Sequence, residues 1–456
     1  MTDTPTSATG AAPPRRSSRV IVASVVGTSL EWYDFFLYGT AAALVFNKLF
    51  FPSFDPLTGT LLAFTTYAVG FVSRPLGGFV AGHYGDRFGR KNVLVVTLLV
   101  MGAATFLIGC LPSYAAIGTA APILLVALRF LQGLGLGGEW AGAVLMSLES
   151  GDPKKRGLNA SWPQIGVPVG NLLAAAVLAL LNVVLSEEAF LSWGWRTAFW
   201  GSALLILAGL WIRLTVAESP VFAEAAQSGR KSSMPLIEVF KRHPRGLLVA
   251  MGARIGTDVA FYTFVLFILT YITTELGLPR GLGLNAVLIG SAAQLALIPF
   301  FGALSDRFGR RPVYMAGAVA AGIWAFAFFP LLDTRSTVVI ILTTVVALAT
   351  HAAMFGPQAA FIAELFSTEL RYSGASIGYQ VAGVLGGAIA PIVAVALLDT
   401  FGSGFAIALY VLAMIIITVI ALWFAPETAN IGLQDEHPDV EHAAGDTDAP
   451  TVATRT

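Results

Sequence analysis

Residues 82–91 are GHYGDRFGRK and residues 302–311 are GALSDRFGRR. The string DRFGR occurs in both, and the two stretches start 302 − 82 = 220 positions apart. Each follows the second long apolar run of its half of the chain. Two further charged elements recur in the same order. Glu149 and Arg156 lie seven residues apart, as do Glu364 and Arg371, each pair bridging the end of a fourth apolar run and the segment after it. AESP (217–220) and PET (426–428) each follow a sixth run. Acids and bases repeating together across two halves mark a duplicated six-helix unit.

The runs themselves span a bilayer. A crossing needs about 20 mostly apolar residues, and candidate spans fall at roughly 20–46, 57–83, 92–112, 122–148, 158–185, 194–216, 246–274, 284–305, 312–332, 337–362, 372–398 and 403–425. Hydrophobic residues make up 56% of the 456, charged residues only 12%, and the mean hydropathy is +0.75. A soluble domain carries about 25% charge, so the chain reads as a polytopic, all-α membrane protein. The expected division is a polar tail (1–18), a first six-helix bundle (19–216), a cytoplasmic linker (217–245), a second bundle (246–428) and an acidic tail (429–456), with both tails disordered. No cleaved leader is expected, because the first run is too long and too charged for a signal peptide. The single cysteine, Cys110, excludes an intrachain disulfide.

Orientation follows from Lys and Arg. With both termini inside, twenty of the 27 lie on the cytoplasmic side and four (Lys48, Arg196, Arg280 and Arg335) fall near the outside. Arg74, Arg129 and Arg254 lie within spans. That asymmetry is a positive-inside signal.

Other functions lack their signatures. No Walker-type phosphate loop is present. The five histidines are scattered, so neither a metal nor another cofactor is expected. The glycine-rich stretch 133–138 sits within an apolar helix, not between a strand and a helix. Basic residues follow membrane topology and not a groove, which argues against nucleic acid. No catalytic constellation emerges, so the chain is not read as an enzyme.

The repeated elements resemble the major facilitator superfamily. DRFGR matches its signature between the second and third helices and the echo between the eighth and ninth. More narrowly, EWYDFFLYG (31–39), RPLGG (74–78), RFLQGLGLGGEWAGA (129–143), SWGWR (192–196) and ESPVF (218–222) resemble the metabolite:proton symporter family, and YSGASIGYQVA (372–382) its shikimate-transporter branch. The resemblance runs over nearly all of residues 20–428. It implies two pseudo-symmetric six-helix bundles around a midplane cavity, alternating access by rocking of the halves, and proton-driven uptake of a small polar metabolite at a bacterial inner membrane. Family members carry shikimate, 2-oxoglutarate, citrate, and proline or betaine.

The charged elements form an expected cytoplasmic gate of Asp86, Arg87, Arg90, Glu149, Arg156, Glu218, Asp306, Arg307, Arg310, Glu364, Arg371 and Glu427. Exposed ion pairs contribute about 0–1 kcal/mol each, which suits a latch that must open; alternatively these segments only obey the positive-inside rule.

Within the membrane, Gly27, Glu31, Asp34 and Tyr38 share one helical face. A charge at the bilayer centre costs roughly 2.5–3.5 kcal/mol on insertion scales, so these acids need partners or a use. The resemblance puts the first and fourth helices against the cavity, where the stripe should face water. A carboxylate balanced between desolvation and a nearby cation can take up and release a proton. Arg129 offers the cation, on a face with Gln132 and Glu139. An aspartate on the first helix opposite an arginine on the fourth also resembles the coupling pair of proton-driven sugar porters. Asp34 is therefore the expected proton carrier, tuned by Arg129, with Glu31 and Glu139 in reserve; the other reading is a static buried ion pair. Glycines 133, 135, 137 and 138 would let a neighbouring helix approach closely.

Candidate substrate contacts are Tyr38, Gln132, Gln164, Asn171, Arg254, Asp258, Tyr262, His351, Gln358 and Gln380. Arg254 and Asp258 are four apart and either neutralise each other, leave Arg254 to grip a carboxylate, or let it snorkel to the interface. His351, Gln164, Asn171 and Gln380 equally fit interhelical hydrogen bonding. Arg74 precedes Pro75 and could pair with Glu139. Trp193, Trp195 and Trp200 read as interfacial anchors. The favoured cargo is an organic acid, shikimate-like or a di- or tricarboxylate. A proline or betaine zwitterion is the alternative, with Trp32, Tyr33, Trp140 and Tyr262 for an aromatic cage, as is an uncoupled facilitator or exporter. The protein is expected to work as a monomer.

Overall fold

The computed structural model describes residues 15–88, 90–137, 139–149, 152–215, 235–367 and 370–429. Among these, twelve long helices run in order and no strand occurs. They are α1 (Arg15–Ala41), α2 (Pro56–Phe88), α3 (Arg90–Cys110), α4 (Ala120–Leu136, resuming at Glu139–Glu149), α5 (Arg156–Val184) and α6 (Trp195–Thr215). The second set is α7 (Pro244–Tyr262, continuing to Glu275), α8 (Arg280–Phe308), α9 (Arg310–Leu332), α10 (Thr337–Glu364), α11 (Arg371–Gly383, continuing to Phe401) and α12 (Gly404–Phe424). Nine of them are long and apolar enough among the described residues to cross a membrane; α1, α3 and α6 complete the twelve. A short amphipathic helix, Pro235–Arg242, precedes α7.

The duplication reaches the packing. In the first half α1 lies on α5, α2 on α4, and α3 on α4 and α6. In the second half α7 lies on α11, α8 on α10, and α9 on α10 and α12. The halves meet through two matching seams, α5 against α8 and α2 against α11. The backbone repeats too: α1 widens into a π-helical segment at Ala42–Phe46, and α7 at Thr263–Phe267. Such segments shift the side-chain register of the helix beyond them and are frequent at functional sites.

The glycines of α4 admit α2. A methyl group on Gly133 would sit 1.8 Å from Ser73 Oγ, and one on Gly137 2.1 Å from the Arg74 carbonyl oxygen. From the other side, one on Gly77 would lie 2.0 Å from the Leu134 carbonyl. Without a hydrophobic drive between helices in lipid, such backbone contact supplies the packing.

The DRFGR segments differ from the expected loops. Asp306, Arg307 and Phe308 belong to the last turn of α8, and only Gly309 turns the chain, at φ 97°. L side chains rarely adopt that conformation, which explains the glycine. Arg310 then opens α9.

Among the tryptophans, Trp193 and Trp200 are partly exposed as interfacial anchors should be, but Trp195 is fully buried. Its ring meets Phe46, Phe50 and Phe199 edge-on. One turn of helix faces two ways, and hydropathy alone does not say which way Trp195 points.

Candidate functional site

Three polar systems lie along the axis between the halves. The first is at the end carrying Gly309. Glu364, 3% exposed at the end of α10, receives Arg310 Nε at 3.2 Å, Arg156 Nε at 3.4 Å and the Thr428 hydroxyl at 2.7 Å. Arg310 also bonds Asp306 at 2.7 Å and Ser305 at 2.9 Å. Asp306 accepts backbone N–H groups from the start of α5. Glu427 does the same for α9, accepting Arg310 N–H at 2.8 Å and Arg311 N–H at 3.1 Å. Carboxylates at helix amino termini meet both orphan donors and the positive end of the dipole. Arg156 belongs to the first half and Glu364 to the second, so the network ties the halves together. Arg371 is buried and donates to the Ala363 carbonyl at 3.1 Å.

Of the residues expected at the gate, the structure gathers Arg156, Asp306, Arg310, Glu364, Arg371 and Glu427 at this end. Arg307 is a correction. It is exposed, with its guanidinium 5.3 Å from the Phe308 ring, and takes no part. One helical position from Asp306, it necessarily points about 100° away. The side chains of Asp86, Arg87, Arg90, Glu139 and Glu149, and all of Glu218, lie outside the described residues.

At the opposite end, Arg280 opens α8 and reaches across to the first half. It meets Glu187 at 3.7 Å, donates to the Asn182 side-chain oxygen, and lies 4.1 Å over the Phe190 ring. Lys48 pairs with the same Glu187 at 3.2 Å. These partners hold the Glu187 carboxyl below its ordinary range, the Lys48 hydrogen bond and charge first and Arg280 next. Both ends are therefore bridged at once. Nothing in the sequence pattern assembles this second bridge, although Lys48 and Arg280 are two of the four cations that the expected topology puts near the outside.

Between the bridged ends lies a small cavity whose wall includes Trp32, Arg254, Asp258, Tyr262, His351 and Tyr379. Arg254 Nε meets Asp258 at 2.9 Å with the arginine 1% exposed, so of the three expected readings the local pair holds and snorkelling does not. The Arg254 guanidinium also lies 3.1 Å over the Tyr379 ring. Tyr379 stacks on Trp140 with centroids 3.5 Å apart, joining α11 to α4 across the halves. His351 lies between Phe261 (4.6 Å) and Phe355 (5.0 Å), with Nδ1 2.8 Å from Gln294.

Several expected substrate contacts serve as interhelical bonds instead and are not on the cavity wall. Asn171 donates to Ser291 at 2.8 Å across the halves, and Gln380 to the Gly137 carbonyl at 3.2 Å. Gln164 accepts from Trp140 at 2.9 Å, and Gln358 donates to Tyr314 at 2.5 Å. Tyr38 bonds Thr66 at 2.7 Å.

Asp34 also departs from expectation, for it does not face the cavity. Trp32 takes that place, and two positions further along a helix is a turn of about 200°. Asp34 points into its own bundle, where the Thr105 hydroxyl donates to it at 3.0 Å. Gln132 donates to Thr105 at 2.8 Å and accepts from Arg129 in turn. The acid and the cation are thus linked through two side chains. Arg129 is boxed by the rings of Phe35 (4.5 Å), Tyr38 (4.2 Å) and Tyr67 (4.8 Å). Glu31 is buried one turn before Phe35.

This architecture of paired bundles, bridged at both ends around a central polar cavity, is that of a membrane transporter. The family profile "Sugar (and other) transporter" matches residues 20–234, and "Major Facilitator Superfamily" matches 253–447. The chain belongs to the major facilitator superfamily, among its metabolite transporters of the shikimate-like branch. It is 41% identical to the inner membrane metabolite transport protein YhjE of Escherichia coli over 421 residues, covering 91% of this chain and 96% of that one. It is 43% identical to the shikimate transporter of Escherichia coli (87% and 92% covered) and 33% identical to the proline/betaine transporter of Salmonella typhimurium (93% and 87%). Among solved structures, the partially occluded inward-open xylose transporter XylE from Escherichia coli superposes with a TM-score of 0.72 at 20% identity, covering 91% and 99%. That likeness concerns the fold. The chain is a transporter and not an enzyme.

Proposed function

We propose that this protein is a proton-coupled importer of a small organic acid at a bacterial inner membrane. It works as a monomer with both termini cytoplasmic, the two bundles (19–216 and 246–428) joined by the 217–245 linker. The observation that carries the reading is the buried chain Asp34–Thr105–Gln132–Arg129, set one helix face behind the cavity wall. A carboxylate in that position has a hydrogen-bonded route to a cation that grips three rings of α1 and α2. Protonating Asp34 would loosen Arg129 and with it those rings, so proton binding would be felt at the cavity through Phe35 and its neighbours. The cargo sits in the cavity beside Arg254 and Asp258.

Likeness to the shikimate transporter supports an acid substrate. A second reading, a proline or betaine zwitterion, is favoured by the aromatic wall of Trp32, Tyr262 and Tyr379 and by the proline/betaine relatives; aromatic faces hold quaternary nitrogens. The test is uptake into proteoliposomes with and without an inward proton gradient. Wild type should accumulate its substrate only with the gradient. Asp34→Asn should lose accumulation yet keep substrate exchange. Full gradient-driven accumulation by that variant, or indifference of wild type to a protonophore, would sink the coupling.

A further inference from the structure

Arg74 lies at the centre of the molecule without an ionic partner among the described residues. It is 4% exposed, midway along α2. Its guanidinium lies 4.1 Å from the Phe35 ring centre, 4.9 Å from Phe71 and 5.3 Å from Trp32. Its Nε has no hydrogen-bond partner, and among the described residues no carboxylate pairs with it. Aromatic faces attract a guanidinium but do not satisfy its N–H groups, and a buried cation without an acceptor is costly. The position is that of a group waiting for an anion.

The surroundings place that anion in the cavity. Trp32 borders the cavity and also lies under Arg74. Phe71 stands between Arg74 and the second half: the open face of Gly383 on α11 has Phe71 Cδ1 at 3.6 Å and Arg254 Nη2 at 3.3 Å from the same point. Phe71 meets Tyr262 edge-on at 5.6 Å. Two arginines from opposite halves thus approach one space, separated by aromatic rings. They are not equivalent. Arg254 already has Asp258 at 2.9 Å, so that pair is balanced. Arg74 adds one positive charge that no carboxylate among the described residues pairs with.

We propose that Arg74 binds the substrate carboxylate from the first half, and that its single unbalanced charge selects monocarboxylates over di- and tricarboxylates. The inference rests on the organic-acid reading and narrows it. A planar guanidinium suits bidentate carboxylate recognition, and the carboxylate would draw the fork off the Trp32 face.

The experiment is ligand binding to purified full-length protein in detergent, followed by thermal shift and by tryptophan fluorescence. The probes are shikimate, its methyl ester, proline, 2-oxoglutarate and citrate. Wild type should respond to shikimate or proline, and not to the ester, 2-oxoglutarate or citrate. Arg74→Met should weaken the response by ~10-fold or more, the scale of a lost charge-assisted hydrogen bond, with Arg74→Lys in between. Trp32→Phe should lose the ligand-induced fluorescence change, because Trp32 borders the cavity and lies under Arg74. Arg74→Lys keeps the buried charge and guards against a folding failure of the methionine variant. Equal binding by wild type, Arg74→Met and Arg74→Lys overturns the role of Arg74 while the transporter reading stands. Preference of wild type for 2-oxoglutarate or citrate overturns the single-charge argument. Response to none of the carboxylates overturns the organic-acid reading itself, and this inference with it.

Discussion

Asp306, on the last turn of α8, closes the amino terminus of α5 in the other half, accepting Gly157 N–H at 2.8 Å and, through its second oxygen, Leu158 N–H at 3.0 Å. These donors belong to the partner bundle, so the cap forms only while that end is shut.

Asp306→Ala should therefore destabilise the closed arrangement by roughly 0.5–2 kcal/mol, the usual worth of a side-chain helix cap. The occluded population falls accordingly, by up to ~30-fold. Labelling of a cysteine introduced on α5 near Asn159 should speed up, in a background lacking Cys110. Unchanged labelling would show that the cap does not hold the gate.

Arg156 and Arg310, from opposite halves, share the Glu364 carboxylate. Removing one member of a buried ionic group costs about 3–5 kcal/mol because the others keep their charge. Glu364→Gln should lower the melting temperature and abolish transport. Adding Arg156→Gln should recover part of the stability, since it removes one stranded cation. A double variant as unstable as the sum of the singles would argue against a shared network.

The bridge at the opposite end makes a pH prediction. Glu187 has its carboxyl pulled down by Lys48 and Arg280. Its contribution is present above the ordinary glutamate value of 4.5 and is lost as pH falls through the depressed one. A pH between about 5 and 8 at this end should leave the bridge unchanged. Glu187 and Lys48 are largely exposed, so raised salt should weaken it. Accessibility of a probe near Asn182 should follow ionic strength and not pH in that window. A pH-dependent opening that Glu187→Gln abolishes would contradict this.

The α2–α4 crossing sets a packing prediction. Gly133→Val should fail to yield a stable protein, because its side chain would overlap Ser73 and the Gly70 carbonyl. Gly142→Ala should be tolerated; the nearest atom to its methyl is 3.8 Å away, on Tyr372. Yield and melting temperature in detergent separate the two. Equal behaviour would mean that α4 can slide.

Much of this molecule was legible from its letters. The doubled DRFGR, the paired Glu-to-Arg spacings and the apolar runs give twelve helices, two halves and the family. That Arg156, Asp306, Arg310, Glu364 and Glu427 gather at one end followed from repetition, because a charged element kept twice in one order marks one place twice. Asp34, Arg129, Gln132 and Arg254 stood out because charge and amide groups are expensive in lipid.

Direction around each helix axis was not legible. The spacing placed Asp34 on a stripe with Tyr38 but not which neighbour that stripe faces, and the structure turns it toward Thr105 and gives Trp32 the cavity. Hydropathy likewise could not separate buried Trp195 from exposed Trp193, nor foresee Arg280 meeting Glu187 across the halves. The physical reason is range. Periodicity and charge cost are properties of one helix in a bilayer and are set within some twenty residues. Which partner a buried polar group finds depends on helices brought together only when both bundles close.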